Sequence, residues 1–191
     1  MNVAFVRERV RNHRPTVVEG NDYARAAVAI VLRDGEDGAE FVVIHRAHRR
    51  GDPWSGHMAL PGGRQDPADR DLPATAMRET REEVGVDLSL HGELLGALDD
   101  LQAIGRGRPL DLIITPFVYA LTAPTTLVLN ALEVQSALWV PVLSLRHPDV
   151  LGTHRPQQSG NQLAYPAFVY QGYAIWGLTH RILTGLLDIL T

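Results

Sequence analysis

One helix is written into this chain at both ends, and it limits what the rest can fold into. From Asp71 to Gly85 the sequence reads DLPATAMRETREEVG. Asp71 suits the N-cap, where its side chain can accept from an otherwise orphaned backbone N–H. Pro73 falls in the first turn, where a missing N–H costs least. Gly85 suits a left-handed C-terminal stop. Pro73, Ala76, Met77, Thr80 and Val84 are predicted to form its apolar face. A helix with one apolar face needs a second layer to cover it.

The flanking segments supply that layer. Tyr23–Leu32 and Glu40–His45 are β-branched, apolar runs separated by the turn cluster RDGEDG, which predicts a hairpin. Arg46 to Gly63 reads as a loop with a short strand at Met58–Leu60. Further strands are predicted at Glu93–Leu98, Leu112–Leu121 and Ala137–Val140, and an amphipathic helix at Thr179–Leu190. The first dozen residues read as a helix with Phe5, Val6 and Val10 on one side, ended by Pro15. No regular βαβ rhythm runs through the chain. The expected fold class is therefore α/β (α+β), a mixed sheet with helices packed on it. The 191 residues predict a single domain, residues 1–191, with residues 1–15 as an N-terminal helical extension.

Composition removes several chemistries. There is no cysteine, which excludes disulfides, thiolate metal sites and cysteine nucleophiles. The net charge of -4 argues against a nucleic-acid partner. No apolar run approaches the roughly 18 residues of a membrane span. The expected location is the cytoplasm.

The chemistry concentrates on the central helix. Glu79, Glu82 and Glu83 share one sector of it, which the spacing places away from the apolar face. The residues alone permit two readings: a solvated, salt-bridged surface, or a site for a hard divalent cation. Gly62-Gly63 ahead of the helix, where backbone can approach closely, favours the second. Asp66, Asp69 and Asp71 make the intervening loop acidic. His45, His48 and His57 lack any regular zinc-ligand spacing.

The segment from Gly63 through Arg78, Glu79, Glu82, Glu83 and Gly85 resembles the signature box of the Nudix hydrolase family. Gly63 and Arg78 are 15 positions apart, one more than the commonest form, and the loop glutamate is absent; counting forward from Gly63 reaches Asp69. The longer Asp-rich loop resembles the coenzyme A diphosphatase branch. So do Ile175-Trp176-Gly177-Leu178-Thr179 and the Glu133-Val134 … Trp139-Val140-Pro141 stretch, which in that branch precedes a small helix. The segment Gly51–Ala59 departs from that branch's pattern.

The resemblance implies a Nudix-type α/β/α sandwich and a metal-dependent diphosphatase using Mg²⁺ or Mn²⁺. It implies Glu79, Glu82, Glu83 and the Gly63 carbonyl as metal ligands, and Glu82 or Glu133 as general base. Glu133 is the only acidic residue between Asp111 and Asp149. Arg78 would orient a glutamate. Arg46, Arg49 and Arg50 are candidates to hold substrate phosphates, and Trp54 to stack on a base. The implied substrate is a small nucleotide: coenzyme A or its acyl forms, with NADH, nucleotide sugars or dinucleoside polyphosphates as alternatives. A non-catalytic nucleotide-sensing domain is a further alternative, and the family suggests a homodimer. Trp176 is expected in the core.

Overall fold

In the computed structural model, which describes all residues except Asn21, Arg50, Pro53, Arg106, Gly107 and 157–162, a mixed sheet is sandwiched between helices. Strands β1 (Ala24–Gly35) and β2 (Gly38–Arg46) form the predicted hairpin, with a tighter turn than expected because β1 runs on to Gly35. β1 also pairs in parallel with β7 (Arg108–Leu121), from Ala24↔Leu112 to Leu32↔Ala120. β5 (Gly92–Ala97) and β6 (Leu101–Gly105) flank β7, and β8 (Val134–Pro141) flanks β2.

The two faces of β1 feed two cores, as expected for a strand covered on both sides. Ala27, Ala29 and Val31 pack with Ala76 and Val84 of helix α2 (Leu72–Val84). Ile30 and Leu32 pack with Val6 and Val10 of α1 (Val3–Asn12) and with Ile182, Leu183 and Leu186 of the last helix, Gly177–Ile189. Phe5 does not join this core as predicted. It is exposed under the Arg9 guanidinium, and Val3 takes its place, because three and four residues separate Val3, Val6 and Val10. Among the described residues, no helix is long and apolar enough to cross a membrane.

One departure from the predicted loop positions the site. β3 (Met58–Ala59) pairs with β2, while β4 (Gly62–Arg64) pairs with β1 at Ala26–Val28. β1 thus meets β2 at one end and β4 at the other along the same edge. β4 enters the gap where the hairpin strands part. A Cβ on Gly62 would meet the Ala27 carbonyl oxygen at 2.3 Å, so only glycine allows this approach. A second, three-stranded sheet of β9 (Leu151–His154), β10 (Tyr165–Tyr170) and β11 (Tyr173–Trp176) was not evident from sequence pattern.

Candidate active site

Capping delivers α2 as its sequence dictates. The Asp71 side chain accepts from Ala74 N at 2.8 Å, and Gly85 closes the helix with φ +72°. The glycine also leaves room for the returning chain, since a Cβ there would meet Val128 at 2.8 Å. That chain runs along the helix end, with Val128 N donating to Val84 O and Asn130 N to Glu83 O. A turn in which Glu133 N donates to Asn130 O then sets Glu133 beside the helix glutamates. Glu133 is therefore fixed by the end of α2, although 50 residues separate it from Glu83.

A cavity of about 280 Å³ results, lined by Arg46, Ala47, Arg49, Gly62, Gly63, Glu79, Glu82, Glu83 and Glu133. The expectation that all three helix carboxylates point away from the apolar face fails at Glu83, which is only 3% exposed. Its position follows from helix geometry: seven residues after Ala76, it is turned only about 20° from that core residue. Gly62 N donates to Glu83 Oε2 at 2.9 Å, and an Arg46 Nη1 lies 3.9 Å from Oε1. Burial pushes the Glu83 carboxyl up to about 8. Glu79 and Glu133 push in the same direction, against Gly62 N–H and Arg46. Burial also raises Glu79, opposed by the Arg78 guanidinium.

Arg78 is not part of the cavity lining; it braces it. Its Nη1 donates to Glu79 Oε1 at 2.8 Å and to Glu82 Oε2 at 3.1 Å, and its Nη2 to Arg64 O at 3.1 Å. Asp69 holds the other edge of the guanidinium with two bonds of 3.0 Å and accepts from Thr75 Oγ1 at 2.9 Å. The Arg78 bonds hold the Asp69 carboxyl far below its usual range. Sequence reasoning gave Asp69 no role, although the count from Gly63 reached it. Asp69→Asn is expected to lower stability by about 2 kcal/mol, because it removes a nearly buried, charge-assisted pair. Thermal unfolding measures this. An unchanged Tm would mean that Glu79, Glu82 and the Arg64 carbonyl hold Arg78 without Asp69.

The remaining candidates divide. Arg46 donates to Asp52 Oδ2 at 2.8 Å, and among the described residues its buried Nε has no hydrogen-bond partner. Arg49 donates from Nε and Nη2 to Leu132 O and from Nη2 to Glu133 Oε1 at 3.1 Å. Trp54 does not line the cavity; its backbone N–H caps Asp52 Oδ1 in the preceding turn. Arg50 lies outside the described residues.

Among the described residues no three carboxylate or imidazole groups already converge on an ion site. Arg78 holds Glu79 and Glu82, and Gly62 N–H holds Glu83. The donor set nevertheless fits a hard divalent cation. Four carboxylates face one small cavity, one of them driven toward its neutral form by burial and by the neighbouring Glu79 and Glu133.

The family model for the NUDIX domain matches residues 23–158. The chain is 32% identical over 133 residues to the peroxisomal coenzyme A diphosphatase NUDT7 of Mus musculus, covering 66% of this chain and 54% of that protein. It is 29% identical over 176 residues to the mitochondrial coenzyme A diphosphatase NUDT8 of Homo sapiens, covering 87% and 70%. The chain spans about half the length of the mouse relative. A MutT/nudix family protein from Enterococcus faecalis superposes with a TM-score of 0.54 at 16% identity, covering all of this chain and 70% of that one. At that identity, the superposition shows a shared fold.

Proposed function

Because this chain belongs to the NUDIX domain family, we propose that it is a metal-dependent hydrolase that cleaves the diphosphate linkage of a small nucleotide, with coenzyme A or acyl-coenzyme A as substrate. The observation that carries the reading is one cavity with four carboxylates, Glu79, Glu82, Glu83 and Glu133, and two arginines, Arg46 and Arg49. Opposite charges across a small cleft suit an anionic substrate held beside a cation. Glu79, Glu82, Glu83 and the Gly63 carbonyl would hold Mg²⁺ or Mn²⁺. When bound, the ion supplies charge neutralisation on phosphate oxygens and a more acidic water.

This chain's residues then divide the work. The Arg46 guanidinium, whose side chain lines the cavity, would donate to a phosphate oxygen. Arg78 and Asp69 orient Glu79 and Glu82. Glu82, half-exposed at the cavity, accepts the proton of the attacking water, with Glu133 as the second candidate base. Water attacks one phosphorus, the anhydride P–O bond breaks, and the displaced phosphate leaves with the electron pair. Coenzyme A would thus yield 4'-phosphopantetheine and adenosine 3',5'-bisphosphate. The similarity to NUDT7 and NUDT8 supports that substrate class.

A panel of coenzyme A, acetyl-coenzyme A, NADH, a nucleotide sugar and a dinucleoside polyphosphate, each with Mg²⁺ and with Mn²⁺, tests it. Mass analysis should find adenosine 3',5'-bisphosphate from the first two. If only the others are cleaved, the coenzyme A assignment fails and the diphosphatase reading stands. If none is cleaved, both fail.

A further inference from the structure

Outside the lining of the carboxylate cavity stands a group of rings that the proposed chemistry does not use. The Trp176 indole at the end of β11 meets His57 with centroids 4.7 Å apart, His154 of β9 at 4.8 Å and Tyr165 of β10 at 5.7 Å. Trp176 does not take the core position expected of it; all four rings are only partly buried. The second sheet supplies three of the four, and His57 precedes β3 at the edge of the main sheet.

His57 links this group to the cavity. Its carbonyl accepts from Arg46 N at 3.0 Å, and the Arg46 side chain lines the cavity. The Arg46 and Asp52 charges both act on the His57 ring. Among the described residues, Arg46 Nε and Ser136 Oγ, the latter on β8 opposite His45, are buried without hydrogen-bond partners. His45 in turn meets the Tyr173 ring at 5.5 Å. Half-open rings tied by a backbone bond to an arginine that lines the cavity have the make-up of a site for a phosphate joined to a flat heterocycle.

We propose that His57, Trp176, His154 and Tyr165 form a stacking subsite for the nucleobase of the substrate, with Arg46 holding the adjoining phosphate. This rests on the hydrolase reading above and adds to it the residues that recognise the base. The second sheet then has a role in specificity: it carries the platform on which the base lies. Burial, with His154 acting on His57, keeps both imidazoles below their usual range, so they present neutral faces at neutral pH. Stacking of this kind tolerates any base, so selectivity among bases is expected to be weak.

The test uses two uncleavable ligands with Mg²⁺: adenosine 5'-(α,β-methylene)diphosphate, which has a base, and methylenediphosphonate, which has none. Calorimetry should show Trp176→Leu weakening the first about 10-fold and leaving the second unchanged, with Trp176→Phe restoring affinity. Tyr165→Leu should act in the same direction, and circular dichroism checks that each variant is folded. If folded Trp176→Leu and Tyr165→Leu bind the adenosine compound as the wild type does, the rings merely pack one sheet against the other and the proposal is wrong. Equal weakening of both ligands overturns it as well, since the base would not be what is read. If the wild type binds neither ligand, the hydrolase reading itself fails, and the subsite with it.

Discussion

Glu82→Gln and Glu83→Gln are each expected to lower kcat for diphosphate hydrolysis by about 10³ while the chain stays folded. Both replacements keep shape and remove a negative charge from the cavity. Glu82 is half-exposed and donates its charge to the cavity mouth, so its loss should leave stability nearly unchanged. Glu83 is buried against Gly62 N–H, and the glutamine oxygen can keep that bond. A drop in turnover without a drop in Tm separates a chemical role from a structural one. The same assay in excess chelator should show wild-type activity abolished. Turnover within tenfold of wild type in both variants, or full activity in chelator, would remove the metal-dependent reading.

The second large effect is on the metal-free protein, and its sign is opposite to that of an ordinary salt-bridged carboxylate. Glu83 is raised from 4.5 to about 8 in the folded chain. The folded state therefore binds this proton more tightly than the unfolded state. Stability contributed by the protonated form is present below about pH 4.5 and is lost as pH rises toward about 8. The full loss is on the order of 5 kcal/mol, or roughly 10–20 °C in Tm for a chain of this size. Glu79, also raised by burial, adds in the same sense. His57, His154 and His180, all lowered by burial, act oppositely below about pH 6.5. The readout is therefore the difference between wild type and Glu83→Gln. In chelator, the wild-type Tm should fall relative to the variant between pH 5 and 8, and excess Mg²⁺ should reverse the fall by replacing the proton as countercharge. Parallel curves for the two proteins would show that Glu83 is ionised throughout and already paired.

Local signals and long-range placement divide the evidence for this site. Helix α2 was legible to the residue at both caps, because Asp71, Pro73 and Gly85 act on neighbours within one turn. The hairpin and β7 were legible from apolar runs. β4, β9, β10 and β11 were not. β4 has three residues, two of them glycine, so its pairing depends on the gap beside β1 and not on its own propensity. β10 and β11 alternate too weakly to reveal a second sheet. The burial of Glu83 is legible in its seven-residue spacing to Ala76, which turns it toward the apolar side of the helix.

The sequence by itself determined the helix, its glutamates, the glycines that let backbone approach it, and the family. These depend on spacing along one element, where 100° per residue fixes which side chains meet. Tertiary structure decided the rest. It placed Glu133 by laying the 127–133 segment along the end of α2, paired Arg78 with Asp69, and brought Arg46 and Arg49 across from the carboxylates. It also set Trp176 against His57 across 119 residues. Contacts at such separations carry no local signature, because the energy that selects them comes from burying both sheet faces together.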